Sequence, residues 1–229
     1  MQKKIKISLI LNSIIVAFTL FATTCMIFGF RFMSGNSTVL SAENLLAFKF
    51  FTVDSNVLMG ILSAVFVVYE ILLLKGKVNK IPFILYIFKF VMTVGVALTF
   101  ATVAFLLGFI APGGYFSLFV DSNLFFHLLI PLLSIISFIF FEPNDLIRFK
   151  HSFLGLIPMG IYSIFYTINA LAHLENGKVS YEYDWYGFAQ GGVAIFPFVI
   201  LGMILATYLI CFLLYIGNKK LAKIGLKEE

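Results

Sequence analysis

A hydroxyl and an imidazole held within hydrogen-bond reach form a nucleophile and its general base, because the histidine takes the proton as the oxygen attacks an acyl carbon. Thr52 and His127 are the pair this sequence offers. Thr52 lies in Lys49-Phe50-Phe51-Thr52-Val53-Asp54-Ser55-Asn56. There Thr52, Ser55 and Asn56 recur at i, i+3 and i+4 and share one face of a helix. His127 stands four residues before Pro131. Proline lacks the amide that would bond the His127 carbonyl, which frees that carbonyl and allows a kink beside the imidazole. Asn169 and His173 form a further i, i+4 pair. Asp54, Ser55, Asn56, Asn123, Asn169 and His173 are therefore candidate substrate-binding or supporting groups, with Asn56, Asn123 and Asn169 as donors for a developing oxyanion. No cofactor is needed for such chemistry. His127, His173 and Asp54 lack a recognisable metal-ligand spacing, so no metal is expected. The sequence contains no G-x-S-x-G elbow, H-E-x-x-H, P-loop or dinucleotide motif.

Ordinary structural roles compete at every one of these positions. Thr52 and Ser55 can bond back to their own helix backbone. Asp54 suits the first turn of a helix, beside Lys49. Asn56 and Asn123 can join helices, and His173 can be solvated at an interface. Glu70 and Lys89 can pair or snorkel, and Trp185 with the neighbouring tyrosines fits an interfacial belt.

The elements that must position these groups follow from composition. With 61% hydrophobic and 12% charged residues, the chain has too few polar side chains to cover a water-soluble globule. Apolar runs over residues 8–30, 50–74, 81–110, 123–141, 153–173 and 192–216 are each long enough to cross ~30 Å of hydrocarbon. The expectation is an all-α membrane protein, a single domain over residues 1–229 built as one bundle of six transmembrane helices. The lysine-bearing N-terminal run is longer than a secretory signal and lacks an A-x-A site, so it reads as the first helix.

Positive charge near helix ends stays on the cytoplasmic side. Lys3, Lys4, Lys6, Lys75, Lys77, Lys80, Arg148, Lys150, Lys219, Lys220, Lys223 and Lys227 fall on one side of the bundle and only Arg31 and Lys178 on the other. Both termini are thus expected in the cytoplasm, in a multi-pass cell membrane protein. The net charge of +5 is spread over membrane-flanking segments that face anionic headgroups, which gives no reason to expect a nucleic-acid partner. Cys25 and Cys211 lie at different depths and read as packing residues. Richness in Phe, Ile and Lys fits an AT-rich bacterial genome.

In this topology Thr52, near the start of the second helix, and His127, about 6 Å down the fourth at 1.5 Å per residue, reach one depth on the outer side. Ionisable groups in hydrocarbon are costly and mark function. A nucleophile and base at headgroup level would meet the ester bonds of amphipathic membrane lipids.

The stretch Lys49-Phe50-Phe51-Thr52, continued by Ser55-Asn56-Val57-Leu58, and the stretch His127-Leu128-Leu129-Ile130-Pro131 resemble two motifs of the androgen-induced protein family and its bacterial Pr-six-Pr membrane relatives. The resemblance implies six helices and a hydrolase of fatty acid esters of hydroxy fatty acids. By motif it places the threonine nucleophile at Thr52 and its histidine partner at His127. Tyr183-Asp184-Trp185-Tyr186 stands where that family has Tyr-Pro, a departure that bears on the substrate. Two other readings use the same residues. One is a small transporter or channel with its polar site at Lys49, Asp54, His127 and His173, and the other is a non-catalytic lipid-binding protein.

Overall fold

In hydrocarbon a backbone has no water to bond, so each apolar run must close its own hydrogen bonds as a helix. A computed structural model describes residues 2–33 and 44–225. Among these residues, six helices are long and apolar enough to span a membrane: α1 (Gln2–Ile27), α2 (Phe51–Leu74), α3 (Phe83–Ile110), α4 (Ser122–Phe141), α5 (Phe149–Ala172) and α6 (Phe196–Ala222). The chain is a multi-pass, all-α membrane protein. Lysine is a good helix former whose ammonium can reach water at the membrane edge. Accordingly α1 begins six residues before the expected apolar boundary and α6 continues past 216, both through lysines. At its other end α6 starts later than expected, after Gly192, whose φ of 99° interrupts a helix.

The bundle is organised around α3. In its most apolar stretch 61% of residues are buried, against 22–39% in the other five helices. It packs against α2, α4, α5 and α6, while α1 lies against α2 and α4. The outward faces carry large exposed apolar side chains such as Phe165, Ile168, Phe198 and Leu205, a surface suited to lipid. Close approach of α1 and α2 requires Gly60, since a Cβ there would come within 2.5 Å of the Thr19 side chain.

Glu70 and Lys89 neither pair with each other nor snorkel. Lys89 is 0% exposed and Glu70 2%. The Lys89 ammonium lies 3.4 Å from Oε1 of Glu142, the residue that ends α4. It also donates to Asn12 of α1 and, at 3.3 Å, to Ser63 of α2. A lone ammonium in this low-dielectric setting would be costly, and four helices converge to satisfy it. Cys25 and Cys211 are free and buried, as packing residues would be.

Three stretches widen into π-turns, over Val103–Leu107, Phe125–Leu129 and Ser137–Phe141. The second contains His127. There the Ile130 amide reaches five residues back to the Phe125 carbonyl, next to Pro131, which has no amide to continue the α-helical ladder. The α5–α6 connection is more ordered than a simple loop. It opens with a hairpin of β1 (Leu174–Glu175) and β2 (Lys178–Val179), turned by Asn176 and Gly177, both at positive φ.

Gly60→Val is expected to overpack the α1–α2 contact at a cost of about 1–3 kcal/mol, read as a lowered thermal unfolding midpoint in detergent. Thr19→Gly in the same variant should recover part of that loss.

Candidate active site

Thr52 is the second residue of α2 and His127 lies in the first turns of α4, and both line one cavity of ≈ 70 Å³, of mixed polar and apolar lining, at the end of the bundle opposite the lysine clusters. His127 is 2% exposed. Its Nδ1 lies 2.7 Å from the carbonyl of Leu118, in the helical turn Tyr115–Leu118 between α3 and α4. A carbonyl only accepts, so Nδ1 carries the hydrogen and Nε2 keeps its lone pair. That tautomer is the one a general base requires.

Asn56 sets α2 against α4. It is 0% exposed, and its amide nitrogen donates to the carbonyl of Thr52 at 2.7 Å and to that of Phe126, beside His127, at 3.0 Å. The two backbone segments that carry the candidate pair are thereby held on one side-chain nitrogen. An amide nitrogen has two hydrogens and both are committed here. Asn56 is therefore a clamp and not a donor for an oxyanion.

Tyr186 completes the Thr52 side. Phe50, at the N-cap of α2, offers no capping side chain, and the first amides of a helix need acceptors. Tyr186 lines the cavity beside Thr52, with its ring edge-on to Phe50 at 5.5 Å between centroids. Burial pushes the Tyr186 phenol up to about 12, outweighing the contacts with Tyr162, Thr52 and the α2 amides that favour the phenolate. Tyr162 of α5 donates to the Lys49 carbonyl at 2.7 Å and accepts from the Trp185 indole at 2.9 Å.

Trp185 and these tyrosines are half-buried. They pack inward with Tyr166, Phe188 and Phe196, because the α5–α6 connection folds down over the site. Asp184 holds it there. Fully buried, its carboxylate accepts from the Tyr166 hydroxyl, from the Ala189 amide at 3.0 Å and from the Gln190 side chain at 2.7 Å. Lys49 lies over the Trp185 ring, 5.4 Å from its centroid.

Of the other residues singled out in the sequence, Asn123 lines the cavity. Asp54 is half-buried on α2, and Ser55 bonds back to the Thr52 carbonyl at 3.2 Å; neither lines the cavity. Asn169 donates to the Tyr183 carbonyl at 2.8 Å. His173 is exposed and stacked flat on Tyr183 at 3.5 Å, with its Nδ1 on the Asn169 carbonyl. That pair fastens the hairpin and lies away from Thr52. Asn123 is thus the one of the three asparagine candidates placed to face a reacting group.

Asp121 is a cavity residue that sequence reading passed over. It precedes α4 at φ 52°, a strained conformation for a side-chain-bearing residue. Its Oδ1 accepts the amides of Phe32 at 2.8 Å and Met33 at 2.7 Å, drawing the segment after α1 onto the cavity rim. Its position one residue before a helix is a capping signal, but its partners are 88 and 89 residues away in sequence. Among the described residues no three His, Cys, Asp or Glu side chains gather closely enough to hold a metal ion.

No family model matches this sequence, and neither a curated protein nor a solved structure is significantly similar to it.

Asp184→Ala would strand the Tyr166 hydroxyl, the Gln190 amide and the Ala189 N–H at a cost of about 1–3 kcal/mol. Amide hydrogen exchange across residues 183–190 should accelerate, with exposed Glu182→Ala as the unchanged control. The raised phenol of Tyr186 predicts an alkaline effect. Its contribution is fully present below pH 10.0, the model-compound value, and is lost as the pH rises through about 12. Above pH 10 the unfolding midpoint of the wild type should fall more steeply than that of Tyr186→Phe.

Proposed function

We propose that this protein is an intramembrane lipid ester hydrolase in which Thr52 is the nucleophile and His127 the general base. The observation that carries the reading is the position of Thr52 at a seam. On one side is the cavity of mixed lining with His127 and Asn123, and on the other a more apolar cavity of ≈ 340 Å³ lined by residues of α3, α5 and α6, among them Leu98, Leu106, Met159 and Met203. Thr52 and Tyr186 line both. An ester whose acyl chain lies in the more apolar cavity would bring its carbonyl to the Thr52 hydroxyl, and its alcohol portion to the side of His127 and Asn123.

In the acylation step the Thr52 oxygen forms a bond to the acyl carbon while its proton passes to Nε2 of His127. The tetrahedral intermediate collapses with return of that proton to the leaving alcohol, and water activated by the same histidine then releases the fatty acid. Tyr186, which lines both cavities with Thr52, is the side chain placed to orient the nucleophile. Asn123 is the cavity-lining side-chain amide for the oxyanion. The motif resemblance at Thr52 and His127 names fatty acid esters of hydroxy fatty acids as the first substrates to test, and membrane lipids as the source from which the ester enters.

The test is labelling of the detergent-purified protein with a serine- and threonine-directed fluorophosphonate, together with release of fatty acid from branched and simple esters. Thr52→Ala is expected to abolish both. His127→Ala should lower turnover by about 10²–10⁴-fold, the usual contribution of a general base. Labelling and turnover unchanged in both variants would sink the assignment. Absence of labelling in the wild type would favour transport or lipid binding, which uptake into proteoliposomes separates.

A further inference from the structure

At the lysine-rich end of the bundle a second cavity, of ≈ 560 Å³, opens beside Lys4, Lys80 and Asp145 and is lined deeper in by Ser8, Tyr86, Glu70 and Glu142. Two carboxylates and one ammonium, Lys89, meet at this point, which leaves one surplus negative charge if all are ionised. Ser8, Asn12, Glu70, Lys89 and Glu142 are all at most 4% exposed. A surplus charge buried to that degree is costly without a counter-ion.

Counting hydrogens locates what is needed. The Lys89 ammonium donates to Asn12 Oδ1 and Ser63 Oγ and lies 3.4 Å from Glu142 Oε1. This fixes the Asn12 amide with its nitrogen towards the carboxylates, 2.9 Å from Glu142 Oε1 and 3.4 Å from both oxygens of Glu70. With the Lys89 ammonium 3.4 Å away and Ser137 donating to the same Oε1 at 2.6 Å, Glu142 is the carboxylate placed to be ionised. Ser8 then lies in hydrogen-bond contact with two carboxylate oxygens at once, Glu70 Oε1 and, at 3.1 Å, Glu142 Oε1. A serine has one hydrogen to donate. Both contacts are hydrogen bonds only when one carboxyl brings a hydrogen of its own. Given to Glu142, the Ser8 hydrogen leaves Glu70 to donate to Ser8 Oγ.

We propose that this cluster is a proton-binding site: Glu70 holds the proton as a neutral carboxylic acid, Ser8 relays its hydrogen bond to ionised Glu142, and the proton exchanges with solution through the cavity at the lysine-rich end. A second observation points the same way. Glu142 Oε2 is buried and has no hydrogen-bond partner, on a residue that lines the cavity. It offers a free acceptor lone pair where a migrating proton would next reside. The charged and titratable groups facing the pair are Lys89 and Tyr86 from α3, Lys4 from α1, Lys80 before α3 and Asp145 after α4. In release, the Glu70 O–H bond breaks, the electron pair stays on the carboxylate, and the proton passes to water in the cavity.

Infrared spectroscopy of the whole protein in lipid nanodiscs tests this through the carbonyl stretch of protonated carboxylic acids. The wild type at neutral pH should show one such band that Glu70→Gln removes, that shifts in D2O and that Ser8→Ala displaces in frequency. Glutamine imitates the neutral acid, so Glu70→Gln should fold and keep its thermal midpoint close to the wild type. A wild-type spectrum from which Glu70→Gln removes nothing would overturn the proposal, as would a band indifferent to D2O or to Ser8→Ala. Failure of Glu70→Gln to fold would also overturn it, since an ionised Glu70 would then be required.

Discussion

A cation placed in hydrocarbon must be neutralised from within the protein, and the burial of Lys89 at 0% exposure is the constraint on which this bundle turns. The ammonium sits on α3, the helix with the most buried surface, and draws Asn12 from α1, Ser63 from α2 and Glu142 from the end of α4. Apolar contact between helices is weakly directional in a membrane, because lipid tails compete for the same surfaces. Polar contacts of fixed geometry decide register instead. Once α1, α2 and α4 are tied to α3 at the lysine-rich end, their opposite ends are placed as well. Those are the ends that carry Thr52 and His127.

The two ends of the bundle solve different problems with the same side-chain types. At the lysine-rich end, amide and hydroxyl groups are spent on stabilising buried charge. At the opposite end they fix backbone: Asn56 joins the Thr52 and Phe126 carbonyls, Asp121 holds the segment after α1, and Asp184 holds the connection over the site. The cavity between these struts is small and of mixed lining and adjoins a larger, more apolar one. An amphipathic ester is a molecule with that division. The hydrogen of His127 is held on Nδ1 by one carbonyl, Leu118, which reaches it because the chain between α3 and α4 folds back as a helical turn.

Much of the site was legible because it rests on local spacing. Pro131 announced an irregular helix at His127, and the π-turn is the form that irregularity takes. Thr52 and His127 were placed at one depth by counting residues into their helices, and they line one cavity. What spacing could not reveal was the partner of each polar group. Asn56 and Asn169 looked like free donors, but their amides are committed to carbonyls 70 and 14 residues away. Tyr186 looked like an interfacial aromatic, and it lines both cavities beside Thr52. Glu142 looked like part of a polar turn, yet it is the carboxylate that answers Lys89.

The sequence by itself determined the six spans, the clustering of positive charge at one end, and the placement of Thr52 and His127 at one depth. These depend on composition and on periodicities of a few residues, which hydrocarbon thickness and helix geometry convert directly into structure. Only the tertiary structure decided which carboxylate meets Lys89, which tyrosine lies beside Thr52 and which asparagine still faces the cavity. Each of those outcomes depends on the rotation and depth of one helix against another, and that is set by buried polar contacts between residues far apart in the chain.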